Sequence, residues 1–303
     1  MALLAEPSMT VTTLGLTLAL LGALGWTLFD VARKSLTLRI SPPALTVWLP
    51  LAQVPVLLVW AASTGPCVLP RASLGPMALS IALNVVALLA FMQAMRLSPM
   101  SLTIPLLSFT PVGATLLGWW IGGQQPTGWQ GLGILLVLTG AFTLGMRSGA
   151  WSGLRAYVRD PGVKRMALTA VIWSATAVID QVALQRGAGY WYAPAITAGV
   201  GLLMGAWMLV RRQGALLMGG GRAMLAHPRI ALLAVLIGTA ALALQLESLR
   251  YAPVGFVETL KRGMGMTGAI LFGWLVFDEP ITSSKILAVL LLTAGVGLVT
   301  IGG

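Results

Sequence analysis

Runs of about twenty apolar residues, broken only by short polar turns, fill almost the whole chain and decide the solvent in which it can fold. The first, over residues 10–32, carries a single charge, Asp30. Spans are read near residues 11–32, 44–62, 75–95, 99–121 and 128–147, and again near 165–185, 191–210, 229–249, 253–277 and 284–301. A helix needs about 20 mainly apolar residues to cross a bilayer core, and in hydrocarbon its backbone groups must bond within the segment. The chain is 57% hydrophobic and 9% charged, against about 25% charged in an ordinary soluble domain. An all-α polytopic membrane protein with ten transmembrane helices is expected.

The basic excess (19 Lys+Arg against 8 Asp+Glu, net +11) does not signal nucleic acid. The cations sit in short breaks between apolar runs, where they meet headgroups or cytoplasm, and no aromatic interleaving builds a strand-binding groove. The breaks after odd-numbered spans hold fourteen of them, whereas the even breaks hold only Arg71, Arg186 and Arg250. The positive-inside rule then puts the central loop in the cytoplasm and both termini outside. A lone cysteine, Cys67, excludes a disulfide framework and a four-cysteine zinc site. The first run follows Glu6 instead of a basic segment, so a membrane span is expected there and not a cleaved signal.

One pattern occurs twice, 154 residues apart. Arg96-Leu-Ser-Pro99 and Arg250-Tyr-Ala-Pro253 each open a long apolar run holding Trp120 or Trp274. Gln124-Gln125-Pro126 and Asp278-Glu279-Pro280 close those runs, and second runs follow over 135–144 and 289–298. Trp26-Thr27 also resembles Trp173-Ser174. Two halves, 1–150 and 151–303, are read from this repeat. Five spans per half is odd, so the halves enter from opposite sides and form two inverted five-helix repeats, a plan many secondary transporters use.

Charges at membrane depth are costly and face a cavity or a partner. Glu258, Lys261 and Arg262 form the densest group, at helical spacings that place them on neighbouring faces. One acid with two bases suits a carboxylate or phosphate; the other reading is a structural ion pair with a snorkelling base. Asp30 and Asp180 end the opening spans of the two halves. Asp30 has Arg33 three residues on and Lys34 beyond it, a headgroup pair by the simpler reading, whereas Asp180 meets no base before Arg186 and is the better candidate for proton coupling. Pro105 and Pro111 flank Ser108 and Thr110 in the fourth span; they remove backbone donors, and the hydroxyls either satisfy the freed carbonyls or leave them to a substrate. Gly131, Gly133 and Gly140, with Gly199, Gly201 and Gly205, mark close helix packing. Trp119, Trp120, Tyr190, Trp191 and Tyr192 are interface anchors or pocket walls.

The segments Ala94-Met-Arg-Leu-Ser-Pro99 through Gln125-Pro126, and Ser248-Leu-Arg-Tyr-Ala-Pro253 through Glu279-Pro280, resemble the paired motifs of the drug/metabolite transporter superfamily, in the group built from two EamA domains. The 105–111 stretch and Leu-Lys261-Arg262 resemble variants of the same pattern. The resemblance implies ten helices, inverted repeats and a central cavity, in a family that moves amino acids, nucleobases, sugars, sugar phosphates and other small metabolites, often outward. Two departures stand out: Gln124-Gln125 lacks the usual glutamate, and Phe277-Asp278-Glu279 lacks the preceding glycine. Many such proteins are described with cytoplasmic termini, opposite to the charge count kept here.

The function expected is a secondary transporter, an exporter by resemblance, of a small polar or anionic metabolite such as an amino acid, in the bacterial inner membrane. Membrane lipids and possible proton coupling are the other partners; a monomer is expected, and no cofactor, metal or nucleic acid. A lipid or lipid-linked substrate flippase, or a non-transporting membrane subunit, stays open. An enzyme is not expected: the chain has no His-Glu-x-x-His, Gly-x-Ser-x-Gly or phosphate-binding loop, and its one histidine, His227, lies in a predicted loop.

Overall fold

The computed structural model describes residues 13–122, 127–145, 150–248, 251 and 254–301, and among these it is helical with no strand. Among the described residues, six helices are long and apolar enough to cross a membrane: α1 (Thr13–Thr37), α2 (Pro42–Thr64), α3 (Arg71–Leu97), α8 (Pro161–Gln185), α9 (Tyr192–Val210) and α11 (Pro228–Ser248). Between α3 and α8 come α4 (Met100–Thr103), α5 (Phe109–Gly122), α6 (Gly128–Gly145) and α7 (Ala150–Arg159). α10 (Gly214–Ala226) lies between α9 and α11, and α12 (Val254–Phe277) and α13 (Ser283–Ile301) complete the order. Leucines and valines on the outer faces, such as Val59, Val171, Leu202 and Leu232, are more than half exposed. A soluble monomer does not carry so wide an apolar surface; the chain is an all-α polytopic membrane protein.

Local chemistry sets the helix ends. Pro42 and Pro161 occupy first-turn positions, where a missing N–H costs nothing. Asp160 caps α8, accepting from the Gly162 N–H at 2.8 Å and the Val163 N–H at 2.9 Å. Pro99 ends α3 by disfavouring helical geometry at Ser98, whose backbone is extended (φ −139°, ψ 159°).

The structure refines three expectations. α1 runs on to Thr37, so Asp30 and Arg33 lie inside the helix, not at its headgroup end. The fourth span is not one helix: a 3₁₀ segment, Ile104–Ser108, separates α4 from α5. Pro105 and Pro111 supply the reason, since neither can donate to a carbonyl four residues back. Ser108 turns its hydroxyl onto the Pro105 carbonyl, which satisfies that carbonyl locally. Last, the two long breaks hold helices. α7 is strongly two-faced, with Arg155, Val158 and Arg159 exposed and Tyr157 turned inward; α10 packs Gly220 on Ala44 and Gly221 on Trp48 of α2. His227 sits at the end of α10. Gln124, Gln125, Pro126, Arg147, Arg250 and Pro253 lie outside the described residues, as do the side chains of Trp119, Trp120 and Glu258.

α1 packs along α11 and α12, and α8 packs along α3 and α5. α2 meets α9, and α6 meets α13. The α6–α13 contact is very close: a Cβ on Gly140 would lie 2.8 Å from Leu292, and one on Gly295 only 2.7 Å from the Gly133 carbonyl oxygen. Gly199 and Gly201 are likewise pressed against Ile81 and Leu51, whereas Gly131 faces open space. Overpacking of this kind costs about 1–3 kcal/mol, so Gly295→Ala should lower the thermal midpoint in detergent by several degrees and Gly131→Ala should leave it unchanged.

Candidate functional site

Four polar groupings stand out among the described residues. In the first, Arg33 donates to Asp30 one turn earlier on α1. The guanidinium carbon lies 4.4 Å from the Phe29 ring centre, 4.2 Å from that of Phe91 and 6.0 Å from that of Trp26. Arg33 is only 5% exposed, so this is a buried pair caged by aromatic faces. The ion pair and the ring faces hold the guanidinium in place, while its Nε makes no hydrogen bond among the described residues.

In the second, Asp180 of α8 accepts from the hydroxyls of Ser80 on α3 and Tyr192 on α9. Asn84 donates to the Ser80 hydroxyl at 3.1 Å, and the Trp173 indole N–H donates to Asn84 at 3.1 Å. Asp180 is thus held by neutral donors, with no basic partner among the described residues. Tyr192 is buried and bonded, not an interface anchor. Tyr190 and Trp191 instead fasten the α8–α9 turn: the Tyr190 hydroxyl donates to Glu247 at 3.1 Å, and the Trp191 indole donates to the Gly65 carbonyl at 3.1 Å.

The third grouping is a narrow, partly open cleft between α1, α11 and α12, too constricted in this conformation to admit water. Ala19, Gly22, Ala23 and Val257 form its apolar walls. Three polar side chains enter it: Trp26, Gln245 and Lys261. The Lys261 ammonium lies 3.5 Å from the Gln245 side-chain oxygen and 5.7 Å from the Trp26 ring centre. The Trp26 indole N–H is buried and makes no hydrogen bond among the described residues. A buried donor without an acceptor costs free energy and calls for an explanation; here a ligand oxygen would supply the acceptor.

The fourth lies at the end of the bundle that carries most of the basic residues. Glu279, in the turn between α12 and α13, accepts from the backbone N–H groups of Met100 at 2.6 Å and Ser101 at 3.0 Å, and from the Ser101 hydroxyl at 2.5 Å. Lys34 on α1 pairs with it at 3.6 Å and donates to the Ser98 carbonyl at 2.9 Å. The Ser98 hydroxyl donates to Asp160 at 2.5 Å. Residues from both halves of the chain meet in these bonds.

Of the residues singled out in the sequence, Lys261 alone lines the cleft. Arg262 is the next residue on α12, and the Glu258 side chain falls outside the described part. Asp30 and Arg33 pair with each other, one turn and more beyond the cleft on α1. Pro105, Ser108, Thr110 and Pro111 stand apart from the cleft; Ser108 bonds Pro105, and the Thr110 carbonyl accepts from Ser174 at 3.1 Å. The fourth and ninth spans do touch, α12 against α4 and the 3₁₀ segment, but the cleft is walled by α1, α11 and α12. Sequence reading passed over Trp26, Gln245, Lys34 and Glu279 as binding or bridging groups. Gln245 had a signal, as a lone amide within Leu242-Ala-Leu-Gln245-Leu.

Comparison with known proteins agrees with this architecture. Fifteen chains of solved structures match the fold. One of them, a crystal structure described only as that of a protein, superposes with a TM-score of 0.59 over 95% of this chain and 96% of its own, at 17% identity. Likeness at that identity speaks to fold alone. No curated protein matches the chain. Residues 13–146 match the model of the EamA-like transporter family. An EamA-like segment thus occupies most of the first half of a chain whose helical fold is membrane-embedded.

Proposed function

We propose that the protein is a secondary transporter that exports a small carboxylate-bearing metabolite, such as an amino acid, by alternating access through the cleft between α1, α11 and α12. The observation that carries this reading is the buried Trp26 indole N–H, which has no acceptor among the described residues, beside Gln245 and Lys261 in the cleft. An indole N–H without an acceptor, an amide and an ammonium converge between apolar walls, a lining suited to an anionic oxygen beside an apolar body. Trp26 also offers its ring face to the apolar part of the solute.

Alternation needs two halves that can exchange roles. The packing supports ten crossings in two inverted repeats: exchanging the halves turns α1 with α11 and α12 into α8 with α3 and α5, while α2–α9 and α6–α13 map onto themselves. The Thr27 side chain fills the space above Gly268 as Ser174 fills that above Gly113. In this arrangement α12 and the shorter apolar helices α5, α6 and α13 also cross the membrane, the basic end faces the cytoplasm, and both termini lie outside. Asp180, held by neutral donors among the described residues, is the proton-coupling residue in this scheme.

Counterflow in proteoliposomes against amino acids, nucleosides, sugars and organic anions tests the proposal. Saturable flux of a carboxylate is expected. Trp26→Phe, which keeps the ring and removes the donor, should lower its initial rate about tenfold, the scale of one charge-assisted hydrogen bond; Lys261→Gln should do the same. Asp180→Asn should make the flux indifferent to a pH gradient. Carboxylate flux unchanged in both cleft variants, or flux confined to lipid-linked solutes, would contradict the reading.

Orientation has a native reporter. Cys67 is exposed in the α2–α3 connection, at the end opposite Lys34 and Glu279. A membrane-impermeant maleimide should label it in intact cells, and should fail to label Arg159→Cys in a Cys67→Ser background; the reverse pattern would invert the topology.

A further inference from the structure

We infer that Glu279 and Lys34 form a latch that shuts the basic end of the transport path, so that the resting protein is closed there and yields first at the opposite end. The inference rests on the alternating-access reading and adds which end is shut and by which groups. Glu279 spends both carboxylate oxygens on one partner segment: Oε1 on the Met100 N–H, Oε2 on the Ser101 N–H and hydroxyl. It reaches there from the α12–α13 turn, whose left-handed Asp278 (φ 52°) directs the chain back across the bundle end. The Glu279 N–H is itself fixed, donating to the Gly273 carbonyl at 2.9 Å. Met100 and Ser101 head the broken fourth span, which packs against α12.

Lys34 adds a third element to the closure. Its ammonium sits 3.6 Å from Glu279, donates to Ser98 and lies 5.3 Å from the Phe277 ring centre. Ser98 hands the tie to a fourth element, since its hydroxyl bonds Asp160 at the head of α8. Gly162 allows this approach, because a Cβ there would fall 2.2 Å from the Ser98 hydroxyl. Glu279 and Lys34 are each only 7% exposed, and buried charge-assisted bonds exceed neutral ones in strength. Opening this end breaks the ion pair and up to three bonds to the carboxylate together. The matching turn of the first half reads Gln124-Gln125-Pro126, where no carboxylate is available for an ion pair. A charged closure at one end and a neutral residue in the corresponding turn make the two ends unequal.

Cysteine accessibility in nanodiscs, without any solute, tests the latch separately from transport: absence of flux would leave this result standing on its own. In a Cys67→Ser background, Thr103→Cys reports the region one turn inward from the Glu279-bonded N–H groups, and Ala188→Cys reports the opposite end; both positions are buried. Glu279→Gln and Lys34→Gln should each raise maleimide labelling at position 103 about tenfold, and Glu279→Ala should raise it further. The double Gln variant should exceed neither single variant by much, because both remove one ion pair. Labelling at position 188 should stay level or fall. An unchanged rate at position 103 in Glu279→Ala overturns the latch, and so does an equal rise at both positions, which marks Glu279 as a residue of general stability.

Discussion

Hydrocarbon offers no hydrogen bonds, so every polar group carried into this bundle has to be matched by another part of the chain. With so few charges available, the pairing of those inside the bundle carries much of the structure. Arg33 answers Asp30 within a single helix turn and is wrapped by Phe29 and Phe91. Lys34, the next residue, points to another face and meets Glu279 across the boundary between the halves. Asp180 takes hydroxyls in place of a cation. The same constraint makes the Trp26 N–H informative, because beside Gln245 and Lys261 it finds no acceptor among the described residues.

Much of the fold was legible because hydrophobic run length is nearly all that a bilayer asks of a helix. Helix membership of the long spans follows directly from composition, and the small-residue positions Gly133, Gly140, Gly199 and Gly201 were recognisable as close contacts. The proline pair in the fourth span announced a break, and the 3₁₀ segment is its consequence. What failed was reading charge from sequence distance. Asp30 and Arg33 looked like a headgroup pair because the apolar run stops near them, yet α1 continues to Thr37 and buries both, since aromatic rings from α1 and α3 shield the guanidinium.

The site was less legible, for a topological reason. Lys34 and Glu279 lie far apart in the chain, and nothing local to either indicates the other. The cleft draws one wall from the first half and two from the second, so its three polar members are scattered over three helices. Only Lys261 stood out, because an intramembrane charge is conspicuous, whereas Trp26 served in the sequence as a marker of the repeat and not as a donor. Glu279 caps the Met100 segment. Its additional meaning comes from joining two halves that must separate if the protein is to alternate.

The central claim is that the two ends of the bundle open in opposition around the cleft. Pulsed electron resonance between spin labels in lipid nanodiscs measures this directly, with one pair at Arg39 and Thr282 on the basic end and another at Thr13 and Arg186 on the other, all four exposed. On addition of the solute identified by counterflow, the account predicts that one distance lengthens while the other shortens. Distances that stay fixed, or that lengthen together, would contradict it.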